Sequence, residues 1–187
     1  MKKVYATYDW RSAVTEDAFR YCPMCAAVLQ VRQTAPYPRK ICLACGYTHY
    51  RNPAPAVGIL LVDGGRVFLG QRTAEPGAGK WALISGYIEY EDDFLSAAVR
   101  EVREETGLEI ALDGIIDVTS SFLGPELHYF SVHVLAHPVG GVLAPNEEHA
   151  AVGWFLPSEP LPELAFQHDA DLIAAFGRGE LAVMPVE

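Results

Sequence analysis

Between Gly86 and Leu108 the chain encodes one short amphipathic helix with its own start and stop signals, and that helix is loaded with acid. Asp92 and Asp93 can cap and favour a helix N-terminus, and Gly107 can supply the left-handed residue that ends one. Phe94, Leu95, Ala98 and Val102 recur at helical spacing and form a stripe to be buried. Glu101 and Glu105 stand four residues apart and project from one face, with Glu104 a turn from Glu101 beside them. Like charges at this spacing cost a helix about 0.2 to 0.5 kcal/mol per pair, and acids in the last turn oppose the negative end of the helix dipole. Local stability therefore does not select the arrangement. Two readings remain: a solvated face balanced by Arg100 and Arg103, or a site for a hard cation such as Mg2+, which takes carboxylate oxygens together with waters and substrate phosphates.

The same residues carry a resemblance. Gly86, Arg100, Glu101, Val102, Glu104, Glu105, Gly107 and Leu108 match in register the signature of the Nudix hydrolases, G-x5-E-x7-R-E-U-x-E-E-x-G-U, in which U is a bulky aliphatic. One position departs from it, Asp92, where the signature has Glu. The shorter side chain can serve as an N-cap, and the neighbouring Glu91 could compensate. The resemblance implies an α+β fold, the Nudix α/β/α sandwich with a mixed sheet, over roughly Ala56 to Phe176. It also implies an enzyme that hydrolyses a nucleoside diphosphate linked to another moiety, with Mg2+ or Mn2+ as catalytic cofactor. By match to the motif, Glu101 and Glu105 are the leading metal ligands. Glu104 is a further ligand or the general base, the Gly86 carbonyl completes the coordination sphere, and Arg100 orients a glutamate. Glu147 and Glu148 fall in a late loop where several relatives place another glutamate, so Glu148 joins the catalytic candidates, against the simpler account of a solvated acidic loop.

The family resemblance leaves the substrate open. NADH pyrophosphatases of this kind carry S-Q-P-W-P-F-P-x-S soon after the box, and residues 119–128 here do not match it. Residues 146–155 and 164–166 look more like the group acting on ADP-ribose or FAD, so ADP-ribose or a similar adenine dinucleotide is the expected substrate. Adenine needs a flat apolar surface, for which Tyr87, Phe122 and Tyr129 are candidates, and Arg72 at a strand end is a candidate diphosphate contact. Strand alternation puts Tyr129, Ser131 and His133 on one face, polar enough to line a cleft. For each of these the plain alternative is a core residue or an exposed strand end. A different class of function, a nucleotide-binding regulator with a degenerate box, has only Asp92 in its favour.

All four cysteines fall in two pairs, Cys22-Pro-Met-Cys25 and Cys42-Leu-Ala-Cys45, which read as one zinc ribbon with a closed, structural Zn2+ site. Two disulfides or a redox pair are the alternatives. So small a segment cannot bury enough apolar surface to fold alone, whereas structural zinc contributes about 10 to 16 kcal/mol in finger peptides. The chain of 187 residues divides into a leader at 1–20, read as an arm over the ribbon or a subunit contact, a ribbon at 21–50 and a hydrolase domain at 51–187. With a formal charge of -10 and only Arg32, Arg39 and Lys40 as bases between the knuckles, no nucleic acid partner is expected. A possible homodimer follows from family tendency alone. No apolar run spans a bilayer, and Lys2 and Lys3 precede no hydrophobic region, so a cytoplasmic location is expected. Strands are expected at Val57–Val62, Val67–Gln71, Ile115–Ser121, Leu127–Ala136 and Val152–Leu156, with a last helix at Gln167–Phe176.

Overall fold

The structure, a computed structural model, describes residues 2–11, 19–34 and 36–186. Its strands are β1 (Val4–Ala6), β2 (Gln30–Arg32), β3 (Arg39–Ile41), β4 (Thr48–His49), β5 (Ala54–Asp63), β6 (Arg66–Arg72), β7 (Trp81–Ala82) and β8 (Ile84–Tyr87), and then β9 (Leu108–Gly124), β10 (Leu127–Gly141) and β11 (His149–Phe155). Helix α1 (Phe94–Thr106) precedes β9, and α2 (Gln167–Gly177) follows β11. The chain forms two units, Met1–Tyr8 with Ala54–Glu187 and Asp9–Pro53.

The larger unit is a mixed sheet in the order β1-β9-β10-β5-β6-β11, with β7 on β6 and β8 on β5. The pairs β1–β9 and β5–β10 are parallel and the rest antiparallel. β5 is apolar on both faces, as a central strand covered on both sides must be. Its alternation sorts the core: Val57, Ile59 and Leu61 pack with Ala97, Ala98 and Val102 of α1, whereas Leu60 packs with Leu172 and Ile173 of α2. β6 repeats the division, with Phe68 on the α1 side and Val67 and Leu69 on the α2 side. The two helices thus cover opposite faces, which gives the expected α/β/α sandwich. Gly64 and Gly65, both at positive φ, close the β5–β6 hairpin between the paired residues Asp63 and Arg66.

Two features of this unit exceed the sequence expectations. β9 and β10 are longer than foreseen because register shifts at His133/Val134, Leu135/Ala136 and Pro138/Gly140 break the two-residue alternation that marks a strand. β1 comes from the leader: Val4–Ala6 pair in parallel with Ser120–Phe122, and the buried Tyr5 donates its hydroxyl hydrogen bond to Asp171 Oδ2 at 2.8 Å. These residues are a strand of the main sheet, not an arm over the ribbon. Residues 12–18 of the leader lie outside the described residues. No helix among the described residues is long and apolar enough to cross a membrane.

The smaller unit has a three-stranded antiparallel sheet, β2-β3-β4, and two knuckles built alike. In the first, Ala26 N donates to Cys22 O at 2.9 Å and Cys22 N to Ala27 O at 2.8 Å; in the second, Gly46 N donates to Cys42 O at 2.9 Å and Cys42 N to Tyr47 O at 2.8 Å. Both knuckles turn at positive φ, through Ala26 and Gly46. The buried core here is Cys22, Leu29 and Cys42, with Ala27 and Tyr47 against it.

Because Ile59 and Leu60 are both fully buried on opposite faces of β5, each of Ile59→Ala and Leu60→Ala is expected to lose about 2 to 5 kcal/mol of stability. Urea unfolding followed by tryptophan fluorescence reads this. A loss from only one of the two would mean that only one helix layer is packed.

Candidate active site

The site starts from the two ends of α1. Asp93 is the N-cap: its Oδ1 accepts from Leu95 N at 2.9 Å and Ser96 N at 3.0 Å, and its Oδ2 from Ser96 Oγ at 2.7 Å. Gly107 ends the helix at φ 74, where a Cβ would fall 2.5 Å from Val142 O. Asp92 does not cap. Its carboxylate reaches Arg100 instead, with Oδ2 accepting from Nε at 2.9 Å and lying 2.8 Å from Nη2.

Arg100 is the hub of the helix face. Nη1 also donates to Glu101 Oε1 at 2.8 Å and Glu104 Oε2 at 3.1 Å, and Nη2 to the Tyr87 carbonyl at 3.1 Å. Partial burial works against its charge, the three carboxylates outweigh that, and its pKa moves up. The expected patch of three glutamates is divided by this arrangement. Glu104 stays largely exposed, whereas Glu101 and Glu105 turn inward.

Glu101 lies under Gly86 of β8 so closely that a Cβ there would sit 2.0 Å from its carboxyl carbon. Glu105 is 3% exposed. Burial first, then the charges of Glu148 and Glu101, push its carboxyl up to about 8, with Arg72 pulling the other way. Glu101 is also raised, by burial, despite its bond to Arg100. The exposed Glu148 sits in the turn before β11, its amide bonded to Asn146 Oδ1 at 2.9 Å and its carbonyl to Thr73 N at 3.0 Å.

His149 also belongs to this site, although no ligand spacing in the sequence marks it. Its Nε2 is 3.5 Å from Glu105 Oε2, and its ring fills the space where a Cβ on Gly70 would stand, 2.1 Å away. The contact runs from strand to helix, which spacing along the chain does not register. Burial holds its pKa below the usual histidine range.

The nominated substrate residues separate in the structure. Tyr87 and Tyr129 meet, with hydroxyls 3.1 Å and ring centroids 5.9 Å apart, and burial followed by the Tyr87 hydrogen bond pushes Tyr129 up to about 12. Arg72 donates through Nε to Pro76 O at 2.8 Å and lies 5.3 Å from the Phe166 ring, and its charge is felt at Glu105 and Tyr129. Phe122 stacks on His128 in the β9–β10 hairpin, with centroids 3.9 Å apart. His133 shares the face of Tyr129 but lines no cleft: it is 5% exposed, 3.1 Å from Thr119 Oγ1 and against His168 at 3.8 Å, and burial lowers its pKa well below the ordinary value. The cause is Gly58 opposite, which leaves room for the ring inside the sandwich.

In the smaller unit the four sulfurs converge, all within 4.8 Å of one another, and none is bridged to another. Cys22 and Cys45 Sγ are 3.6 Å apart and Cys25 and Cys42 Sγ 3.4 Å, too far for disulfides. Two sulfurs from each knuckle form a set that could hold a metal ion, and the four cysteines are the one such cluster of three or more donors among the described residues.

The family profile of the NUDIX domain matches residues 52–176, most of the larger unit. The chain belongs to the NUDIX family. It is 32% identical over 124 residues to an ADP-ribose pyrophosphatase of Methanocaldococcus jannaschii, a match that covers 66% of this chain and 73% of that protein. It is 29% identical over 170 residues to the NAD-capped RNA hydrolase NudC of Stutzerimonas stutzeri, covering 86% of this chain but 59% of the relative. Among solved structures, a NUDIX hydrolase from Nitrosomonas europaea superposes with a TM-score of 0.78 at 25% identity, over 89% of this chain and 97% of its own.

The raised Glu105 carboxyl has a signed consequence for this NUDIX domain. The folded chain keeps a proton that the unfolded chain releases near pH 4.5, so stability falls as pH rises from about 4.5 to about 8 and is level above that. In the presence of a chelator, Glu105→Gln is expected to remove this slope and to melt higher than the parent at pH 8, with little difference at pH 4.5. Thermal melts across that range check it, and equal melting at pH 8 would show that Glu105 carries no such strain.

Proposed function

We propose that the chain hydrolyses the diphosphate linkage of a nucleoside diphosphate derivative, ADP-ribose or a similar adenine dinucleotide such as FAD or NADH. The observation that carries this reading is the inward turn of two glutamates: Glu101 is pressed under Gly86, which leaves no room for a side chain, and Glu105 is buried against the charges of Glu148 and Glu101. Two inward carboxylates, with the Gly86 carbonyl as a candidate third oxygen donor, are the chemistry that suits Mg2+ or Mn2+. A divalent ion bound there supplies charge neutralisation at phosphate oxygens and lowers the pKa of water.

The remaining roles fall to side chains already placed. Arg100 is a positioning residue, because its donors are turned to Asp92, Glu101, Glu104 and a backbone carbonyl. Glu148 and Glu104, both exposed, the latter with Oε2 accepting from Arg100, are the candidates to accept a proton from water, and Glu104 is alternatively a further metal ligand. Arg72 offers a fork to the diphosphate. Tyr87 and Tyr129 offer flat faces for adenine. In the smaller unit, residues 21–50 act as a zinc ribbon in which Cys22, Cys25, Cys42 and Cys45 hold a structural Zn2+.

A second reading, hydrolysis of an NAD cap on RNA, is favoured by one observation: the match to the Stutzerimonas stutzeri protein takes in 86% of the chain. Measuring AMP release from ADP-ribose, NADH and FAD, beside cleavage of an NAD-capped RNA, separates the two. Turnover of ADP-ribose or a dinucleotide with Mg2+ or Mn2+ is expected, and Glu105→Gln should lower kcat more than about 100-fold while Arg100→Lys lowers it about 10- to 100-fold. Full turnover in Glu105→Gln would overturn the assignment of the site. Nucleotide binding without turnover would favour a regulator.

The ribbon reading predicts one zinc per chain. Stripping the metal should abolish the amide protection of β2, β3 and β4 in hydrogen exchange while β5 and β10 keep theirs. Unchanged protection of β2–β4 would remove zinc from the fold.

A further inference from the structure

The Arg100 fork leaves one glutamate of its helix out. It serves Asp92, Glu101 and Glu104, and among the described residues the one ion-pair partner of the Glu105 carboxylate is His149, from a different strand. Both side chains are buried, at 5% and 4% exposure, where water weakens a polar contact little. Three features of the backbone hold the imidazole there.

The first is a bulge. His149 pairs with Arg72 and Ala151 with Gln71, so β11 carries one more residue than β6 over this step, the exposed Ala150. Val152 and Trp154 pack against the cluster beneath α1. Strict alternation back from them would turn His149 to the opposite face, and the extra residue turns it toward α1 instead. The second is Gly70, where a Cβ would stand 2.1 Å from His149 Cδ2 and 2.3 Å from Nε2, so that a larger residue would displace the ring. The third is the turn before β11. Asn146 N donates to Glu105 O at 3.2 Å and His149 N to Asn146 O at 3.4 Å, while Thr73 Oγ1 lies 3.0 Å from the carbonyl oxygens of Glu147 and Glu148. The segment that carries His149 is thus hydrogen-bonded to the backbone of the same glutamate that its ring faces.

Packing alone does not account for an imidazole at this place. Its Nδ1 is buried without a hydrogen-bond partner, a cost that an apolar side chain of similar size would avoid. With no acceptor at Nδ1, the ring proton belongs on Nε2, the nitrogen that lies 3.5 Å from Glu105 Oε2. A carboxylate held through one oxygen presents the other in a fixed direction, which is how a group behind a ligand tunes a metal site.

We propose that His149 is a positioning residue, which holds Glu105 through Nε2 and sets the direction in which that carboxylate meets a divalent cation. The proposal rests on the reading of Glu101 and Glu105 as the cation site and adds to it a residue of β11 that touches neither substrate nor ion.

The test is Mn2+ binding to the full, zinc-loaded chain without nucleotide, read from the EPR signal of the free ion. His149→Leu is expected to weaken Mn2+ binding about 10- to 100-fold. His149→Gln should recover most of that loss, since its amide also brings an N–H donor. Leu fills the space over Gly70 as Gln does, so a packing role alone would not separate the two. Gly70→Ala puts the same question with the imidazole retained: the displaced ring should cost Mn2+ affinity although no donor has been removed. Thermal melts without Mn2+ show which variants are folded, and should His149→Leu not fold, Gly70→Ala against the parent decides. Mn2+ bound as tightly as by the parent in His149→Leu or in Gly70→Ala, or no better by His149→Gln than by His149→Leu, would overturn the role of His149, and loss of binding in Glu105→Gln would show that the site itself stands. Equal binding by the parent and Glu105→Gln would overturn the carboxylate site, and the role of His149 with it.

Discussion

The Arg100 guanidinium is the interaction on which the rest of the site depends. It gathers Asp92 from the loop, Glu101 and Glu104 from its own helix and the Tyr87 carbonyl from β8. A planar fork with several donors can do this and a point charge on a flexible stem cannot. By tying the loop to the helix, Arg100 sets how far β8 lies from α1, and that separation brings Gly86 onto Glu101. Asp92 illustrates the economy of the arrangement. The side chain is one methylene shorter than the family signature has, yet it reaches Arg100, because the neighbouring Asp93 takes over the cap.

Around that anchor the domain holds a conflict between stability and chemistry. Burying two carboxylates near a third acid raises the pKa of both, and the core supplies little to offset it besides Arg100 and the more distant Arg72. Neither carboxylate is a member of the apolar clusters on either side of β5. Ile59 and Leu61 pack toward α1, and Leu60 toward α2. Glycines do similar work at close quarters: Gly70 makes room for His149 and Gly58 for His133, one of which joins the site and the other the core.

The smaller unit follows a different logic. Its apolar core is two cysteines and a leucine with little around them, so its shape depends on the four sulfurs and on the repeated hydrogen bonds of the two knuckles. A scaffold fixed in that way leaves its outer residues free of packing duties. They include the exposed Tyr21, Tyr37 and Tyr50 and the opposed Arg32 and Arg39.

The local features were legible from the residues themselves. Both caps of α1, the tight Asp63–Arg66 hairpin, the central strands, the last helix and the cysteine cluster all depend on spacing over a few residues, where backbone sterics and periodicity act directly. What spacing could not reveal lies between segments far apart in the chain. The leader strand pairs with β9 more than a hundred residues on, His149 meets Glu105 from another strand, and bulges in β10 disguise its length. His133 was misplaced for the same reason, since alternation assigns a face but not whether a cleft or a helix lies over it. The sequence by itself determined which groups the chain possesses, where its helix starts and stops and which of its residues cluster by charge. The tertiary structure alone decided which carboxylates are buried and which stay wet, because burial depends on what packs against a side chain from elsewhere.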